Sequence, residues 1–133
     1  MVAGVGRAIA RGGMADVWLG RLKGRHGFAK LVAVKTILPE HALETRFQRM
    51  FLDEARLAAR IRHPNVVAIV DVVTGEDELC LVMEYVHGIA VSRLAFLAQR
   101  RQTRIPIAIT TRILLDVLAG LQAAHEATSE RGN

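Results

Sequence analysis

The chain has 133 residues, 51% of them hydrophobic and 23% charged, so it can bury the core of about one domain and is too apolar to be disordered. Its net charge is +5, but the arginines are scattered apart from Arg100, Arg101 and Arg104. Aromatic residues make up only 5%, which disfavours a nucleic-acid surface built from stacking platforms. The single cysteine, Cys80, excludes an internal disulfide and a cysteine-rich metal site.

The termini and the hydropathy pattern predict where the protein resides. The N-terminal residues lack the pattern of a secretory signal peptide. We expect no apolar stretch to reach the ~18 residues that span a bilayer. The sequence therefore predicts a cytoplasmic protein with no membrane partner.

The first 37 residues read as three β-strands separated by turns. A weak strand, diluted by glycine and alanine, covers residues 5–11, a short one covers 16–20, and a longer one covers 28–37. Glycine-containing segments at 11–14 and 24–27 are typical of turns. The third strand is β-branched and apolar on both faces.

A helix is predicted from about residue 42 to 62, after the break at Pro39. Residues 63–65, His-Pro-Asn, end it. Its apolar stripe consists of Phe47, Met50, Phe51, Leu57, Ala58 and Ile61.

The rest of the chain predicts a hairpin and two more helices. Two apolar runs, 66–73 and 78–86, are joined by a turn at 74–77. Ser92 could cap a short helix over 93–101, and Pro106 fits the first turn of a final helix that runs to about residue 126. The apolar face of that helix, between residues 113 and 124, carries Ile113, Leu114, Val117, Leu118, Leu121 and Ala124.

Lys35 ends an apolar strand, which is an unusual place for an ammonium group. Alternation places Ala33, Lys35 and Ile37 on one face and Val32 and Val34 on the other. Both faces look buried, so the ammonium reaches water with difficulty. Two readings stay open at this point: the ammonium snorkels to solvent, or it points into a cleft beside a bound anion.

Glu54 falls inside the apolar stripe of the predicted helix, nineteen residues after Lys35. Taken alone, it is better read as a residue at the edge of the stripe that reaches solvent. Taken with Lys35, it indicates an ion pair, because a helix that packs back on the preceding strand would bring the two groups together and relieve the cost of burying each charge. Glu54 would then hold the ammonium and leave its other donors free for an anion.

Gly12 and Gly13 lie in the loop between the first two strands. Glycines there let backbone N–H groups approach phosphate oxygens closely. Adjacent glycines alone are a weak signal, because any tight hairpin uses them. Their position ahead of the lysine strand favours a phosphate-binding loop.

Four segments, in this order and spacing, resemble the N-terminal part of a protein kinase of the bacterial serine/threonine type. They are the loop with Gly12 and Val17, the strand ending in Lys35, the Glu54 helix followed by His-Pro-Asn, and the strand-to-hinge run 81–86. The resemblance implies an α+β fold: a kinase-like N-lobe with a five-stranded antiparallel sheet and one packed helix over about residues 5–86. Two helices of an incomplete C-lobe would follow over about 87–133.

The resemblance also implies roles for individual residues. Lys35 would contact the α- and β-phosphates of ATP and be held by Glu54, which makes these two the candidate catalytic residues. Met83 would be the gatekeeper behind the adenine, whose edge would meet backbone groups of the hinge. The candidate ATP-binding residues are Ile9, Gly12, Gly13, Val17, Ala33, Lys35, Met83, Glu84 and Val86.

The chain departs from the family pattern at the glycine loop, at Ala58, where these kinases usually carry a larger apolar residue, in its short first strand, and at its end. Ala10 and Ala15 stand where the family has the first and third glycines of its loop, which would cost ~1 kcal/mol or more wherever a positive φ is required. The sequence also ends at Asn133, before the His-Arg-Asp and Asp-Phe-Gly segments that supply the catalytic base and the Mg²⁺ ligands in the family. We therefore expect no metal ligands and no catalysis from this chain alone, and a separate C-lobe or a partner kinase over the exposed face of the final helix.

Three functional readings follow. The favoured one is a truncated serine/threonine kinase that binds ATP and acts on an unknown protein substrate. The second is a catalytically inactive nucleotide-binding or kinase-docking module. The third, a nucleic-acid-binding protein, rests on the net charge alone and is disfavoured.

Overall fold

The computed structural model describes residues 2–38, 44–74 and 79–129 of the chain. It consists of two compact units, Met1–Tyr85 and Val86–Asn133. The strands of the first unit are β1 (Val2–Arg11), β2 (Ala15–Lys23), β3 (Ala29–Ile37), β4 (Ile69–Thr74) and β5 (Leu79–Glu84), with helix α1 (Thr45–Ala58) between β3 and β4. The second unit contains α2 (Val91–Arg100) and α3 (Ile107–Ser129).

The five strands form one antiparallel sheet in the order β1-β2-β3-β5-β4. This confirms the predicted fold class. Strand β3 lies in the middle, in keeping with its apolar sequence: Val32, Ala33 and Val34 are all buried. The β4–β5 pairing confirms the predicted hairpin, whose turn lies outside the described residues, as do Pro39 and the first residues of the predicted helix.

The sheet has two distinct apolar faces, as the alternation in β3 predicts. One face carries the cluster of Val32, Val34 and Val82, with Leu22 and Cys80 packed against it. Cys80 is half-buried there. On the same face the indole N–H of Trp18 donates to Thr36 Oγ1 at 3.2 Å.

The other face is covered by α1. Phe51 and Ala55, four residues apart on one side of the helix, pack on Leu81 of β5. Ala55 is 1% exposed, although it was not part of the predicted apolar stripe. Met50 and Leu57 were part of that stripe, but they are 46% and 37% exposed. The buried face of α1 is therefore narrower than predicted and centres on Phe51 and Ala55.

Helix α1 ends at Ala58, four residues before the predicted end. The N–H groups of Arg60 and Ile61 donate to carbonyls only three residues back, Leu57 and Ala58, so the last turn tightens before the proline. His63 Nδ1 accepts a hydrogen bond from the Asn65 N–H at 3.1 Å, which forms a local turn instead of a helix terminus.

The second unit differs from the prediction at the start of α2. The N-cap residue is Ala90 and makes no side-chain cap, so Ser92 lies inside the helix rather than capping it. Helix α3 begins directly after Pro106, whose carbonyl accepts from the Thr110 N–H, as expected for a proline at a helix start.

Helix α3 is long and apolar, and most of its side chains are exposed within its unit. Its segment Ile107–Ala127 has a mean hydropathy of 1.5 with 6% of the residues buried, which is enough to cross a membrane by length and composition alone. The expectation that no segment reaches this threshold is therefore wrong. The prediction overlooked that Arg112 and Asp116 are too few charges to interrupt the apolar run. These two side chains pair at 3.0 Å near the middle of the segment.

Candidate functional site

A cavity of about 550 Å³ lies in the first unit between the β1–β2 loop, the end of β3 and α1. The loop contributes glycine backbone, β3 contributes a cation, and α1 contributes two carboxylates and an apolar wall. The lining residues are Gly12, Gly13, Met14, Ala15, Lys35, Ile37, Phe47, Met50, Phe51, Asp53 and Glu54.

Lys35 and Glu54 meet at the wall of this cavity. The ammonium of Lys35 donates to Glu54 Oε1 at 2.7 Å and to Oε2 at 2.9 Å. The predicted contact between these residues is confirmed. Two of the three N–H donors of the ammonium point at the carboxylate, which leaves one donor for another acceptor.

The sheet register and the packing of α1 together produce this contact. Lys35 pairs directly with Leu81 on β5, so the two side chains share one face of the sheet. Phe51 and Ala55 pack on Leu81, which brings α1 down beside Lys35. Glu54 follows Phe51 by three residues and therefore reaches the ammonium from the edge of the buried helix face.

The aromatic ring of Phe51 adds a second contact to the same cation. The Lys35 Nζ lies 5.7 Å from the ring centroid, within the range of a cation–π interaction. Sequence reasoning placed Phe51 in the apolar stripe and missed this contact. The available signal was its position one turn before Glu54, on the side of the helix that faces the strand.

The ion pair is not buried, contrary to the sequence reading. The side chain of Glu54 is 57% exposed and that of Lys35 is 22% exposed. Because Glu54 lies beside the Phe51 and Ala55 face rather than within it, solvent reaches the carboxylate. The pair therefore carries a smaller desolvation cost than a buried one.

The glycine loop is tight at Gly12. Its N–H donates to the Ala15 carbonyl at 3.1 Å, and a Cβ at Gly12 would stand 2.9 Å from that same oxygen. A Cβ at Gly13 would meet nothing within 4 Å. Among the described residues, the non-glycine residues with positive φ are His26 and Gln102, so Ala10 and Ala15 carry no strain of that kind.

The remaining predicted residues do not line the cavity. Val17 pairs with Lys35, and Ala33 pairs with Met83, so all three lie on the Lys35 face of the sheet. Ile9 is 45% exposed on β1.

The two hinge residues have defined backbone contacts. The N–H of Glu84 donates to Ala68 O at 2.9 Å. Val86 belongs to the second unit, where it is 61% exposed and its carbonyl accepts from the Gly88 N–H.

Within the described ranges, no cluster of three or more His, Cys, Asp or Glu side chains is placed to hold a metal ion. The residues that line the cavity offer a ligand electrostatic contacts. A fixed cation and a backbone turn lie on one cavity, which suits an anion with several oxygens.

Comparison with known proteins places this arrangement in a family. The sequence model of the protein kinase domain matches residues 4–128. The tyrosine-protein kinase MasK of Myxococcus xanthus is 40% identical over 126 residues, which cover 95% of this chain and 20% of MasK. The serine/threonine-protein kinase PksC of Streptomyces coelicolor is 35% identical over 124 residues, which cover 89% of this chain and 21% of PksC.

Solved structures give the same result. One crystal structure of the PknI kinase domain of Mycobacterium tuberculosis matches with a TM-score of 0.68 and 29% identity, over 92% of this chain and 48% of that one. A second crystal structure of the same domain matches with a TM-score of 0.70, over 94% of this chain and 49% of that one. The chain thus spans about half of these kinase domains and about a fifth of the curated relatives.

Proposed function

The chain belongs to the protein kinase family, and we propose that it is the ATP-binding portion of a serine/threonine-protein kinase. The observation that carries the proposal is that Lys35 donates to both carboxylate oxygens of Glu54, and that this pair and the Gly12 turn line the same cavity. The choice of serine and threonine as acceptors follows the printed names of most of the relatives, PksC among them, although MasK is named a tyrosine kinase.

The proposed role of Lys35 is to bind the phosphates of ATP. Glu54 takes two ammonium donors and fixes the direction of the third, so the lysine needs little reorganisation when a phosphate oxygen arrives. The ring of Phe51, whose centroid lies 5.7 Å from Nζ, adds a cation–π contact that helps to hold the ammonium. A pre-positioned cation stabilises the negative charge that grows on the α- and β-phosphates as the γ-phosphoryl group leaves, better than a mobile one does.

The glycine turn is the proposed second phosphate contact. The Gly12 N–H already donates to Ala15 O and shapes the turn, so the proposed contact for a phosphate oxygen is the backbone of Gly13, where an added Cβ would meet nothing within 4 Å. Val17, Ala33 and Met83, on the Lys35 face of the sheet, are the proposed wall for the adenine. The adenine contacts of Ile9, Glu84 and Val86 stay a prediction from the family resemblance.

Phosphoryl transfer needs groups that this sequence does not contain. It has neither a His-Arg-Asp nor an Asp-Phe-Gly stretch, which the resemblance assigns to the base and to the ligands of Mg²⁺. We propose that the γ-phosphate reaches a protein hydroxyl only when a C-lobe with those residues, in the same or another polypeptide, completes the site. The alternative is an inactive nucleotide-binding or kinase-docking module. One observation supports it: the apolar face of α3 is exposed, with Leu114 and Leu118 at 56% and 60%, and such a face can bind another protein.

The proposed location is the cytoplasm. The kinase model extends to residue 128 and so includes all of Ile107–Ala127. The Arg112–Asp116 pair near the middle of that segment would be costly in a bilayer. We therefore assign α3 to the kinase domain rather than to a membrane span.

Isothermal titration with ATP tests the nucleotide site. Lys35→Ala should weaken binding about tenfold or more, because a charge-assisted hydrogen bond to phosphate contributes about 1.5–3 kcal/mol. Lys30→Ala is the matched control. Lys30 lies on the same strand, but its side chain shares the face of Val32, which is opposite to the face of Lys35. Absence of ATP binding by the wild-type chain, or equal loss in both variants, would contradict the proposal.

A further inference from the structure

The positive charge of this chain is concentrated in one segment. Residues 85–115 contain five arginines and no aspartate or glutamate, whereas the rest of the chain carries thirteen basic and thirteen acidic side chains. The whole formal charge of +5 is therefore accounted for by a segment that includes α2. Arg112 pairs with Asp116 at 3.0 Å, and the other four arginines, Arg93, Arg100, Arg101 and Arg104, lie in a stretch of sequence without acidic residues.

Three residues of α2 form an arginine–phenylalanine–arginine row. Arg93, Phe96 and Arg100 are spaced by three and four residues, so they share one face of the helix. The guanidinium carbon of Arg93 lies 5.2 Å from the Phe96 ring centroid, and that of Arg100 lies 5.9 Å from it. The ring stays 45% exposed between two cations.

The row borders the half-buried side of α2. Leu94, Leu97 and Ala98 are the half-buried residues of this helix; Leu97 lies next to Arg93 and Arg100, and Leu94 and Ala98 lie farther round the helix. At the C-terminal end, the Thr103 N–H donates to the Ala98 carbonyl at 3.0 Å and closes the helix. This turn keeps Arg101 and Arg104, both exposed, at the same end of α2 as Arg100.

Helix electrostatics explain only part of this arrangement. Cations near a helix C-terminus are stabilising, which accounts for Arg100 and Arg101. Arg93, however, is the third residue of α2, where the partial positive charge of the helix start disfavours a cation. Arg93 and Arg100 also stand about 10.5 Å apart along the axis and repel each other weakly. The arrangement therefore suits an anionic partner better than it suits the isolated helix.

We propose that this α2 face, formed by Arg93, Phe96, Arg100, Arg101 and Arg104, docks an acidic protein segment with one apolar side chain. The apolar side chain would lie on the Phe96 ring, and the carboxylates on either side would pair with the guanidinium groups. A single-stranded nucleic acid fits less well, because Phe96 is the only aromatic residue between residues 86 and 133 and cannot stack successive bases. The docking face and the proposed nucleotide site share no residue.

Fluorescence anisotropy with a labelled peptide tests the proposal. The probe is a short polyglutamate peptide with one central leucine, compared with the same peptide lacking leucine and with a single-stranded oligonucleotide of equal length. We expect the leucine peptide to bind most tightly and its affinity to fall as salt rises. Arg93→Glu combined with Arg100→Glu should weaken it about tenfold or more, and Phe96→Ala should remove the preference for leucine.

The matched control is Arg49→Glu combined with Arg56→Glu on α1. These two exposed arginines have the same seven-residue spacing and undergo the same charge reversal. Unchanged peptide binding in this control supports the proposal, and an equal loss shows that net charge alone drives binding and overturns it. Tighter binding of the oligonucleotide, or no binding of the leucine peptide, also overturns it. The Lys35→Ala variant should bind the leucine peptide as tightly as the wild-type chain does, because Lys35 belongs to the nucleotide site and not to the α2 face.

Discussion

Lys35→Met and Glu54→Gln, made singly and together, measure how strongly the two charges are coupled. Methionine keeps most of the stem of Lys35 on Phe51, and glutamine keeps the shape of Glu54, so each change removes mainly charge. A double-mutant cycle cancels the packing and cation–π effects of the single variants. What remains is the free energy of the ion pair itself.

The exposure of the two side chains sets the expected magnitude. Exposed pairs contribute about 0.2–1 kcal/mol, whereas breaking a fully buried pair costs about 3–5 kcal/mol. Glu54 is 57% exposed and Lys35 is 22% exposed, and the contact is made through both carboxylate oxygens. We therefore predict a coupling free energy of about 1 kcal/mol, near the top of the exposed range.

Urea unfolding followed by Trp18 fluorescence provides the assay. Trp18 is the only tryptophan in the chain and lies in β2, in the same unit as the ion pair. Lys30→Met with Glu54→Gln is the control cycle, and its coupling should stay within about 0.3–0.5 kcal/mol of zero. A coupling near zero for Lys35 and Glu54 would refute the contact, and a loss above about 3 kcal/mol in either single variant would refute the exposed geometry.

Three further predictions concern the packing at the site and on the opposite face of the sheet. Gly12→Ala should lower the free energy of unfolding by about 1 kcal/mol or more, because its Cβ would stand 2.9 Å from Ala15 O, whereas Gly13→Ala should be nearly neutral; urea titration of both variants compares them. Phe51→Ala should cost about 3–5 kcal/mol in the same assay, because the ring is 6% exposed and packs in the core under α1; a loss below ~1 kcal/mol would contradict that packing. Trp18→Phe should lower the free energy of unfolding by about 1 kcal/mol, because the hydrogen bond to Thr36 is lost. Its urea unfolding is measured by circular dichroism, since the variant lacks the fluorophore, and an unchanged unfolding midpoint would argue against that bond.

The sheet and its faces were predictable because strands alternate with a period of two. Once Lys35 was assigned to β3, alternation fixed Ala33 and Ile37 as its companions, and the register agrees. Helix boundaries were less predictable. Pro64 showed that the helix had to end before it, but the actual end at Ala58 depends on hydrogen bonds in the last turn that the sequence pattern does not specify.

The contact between Lys35 and Glu54 was predictable from the sequence, but its exposure to solvent was not. The spacing from Lys35 to Glu54 indicated that the two charges meet, and they do. Their exposure depends on which face of α1 packs on the sheet, and that face includes Ala55, a residue too small to stand out in the apolar stripe. The cation–π contact from Phe51 depends on the same packing.

The central claim is that Lys35 lies against the phosphates of bound ATP. The chain contains only three lysines, Lys23, Lys30 and Lys35, so an acyl-phosphate derivative of ATP followed by peptide mass spectrometry can identify the lysine beside the phosphates. We predict acylation of Lys35 that excess ATP suppresses, with Lys23 and Lys30 labelled only at background. Equal labelling of all three lysines, or labelling of Lys35 that ATP does not suppress, would contradict the claim.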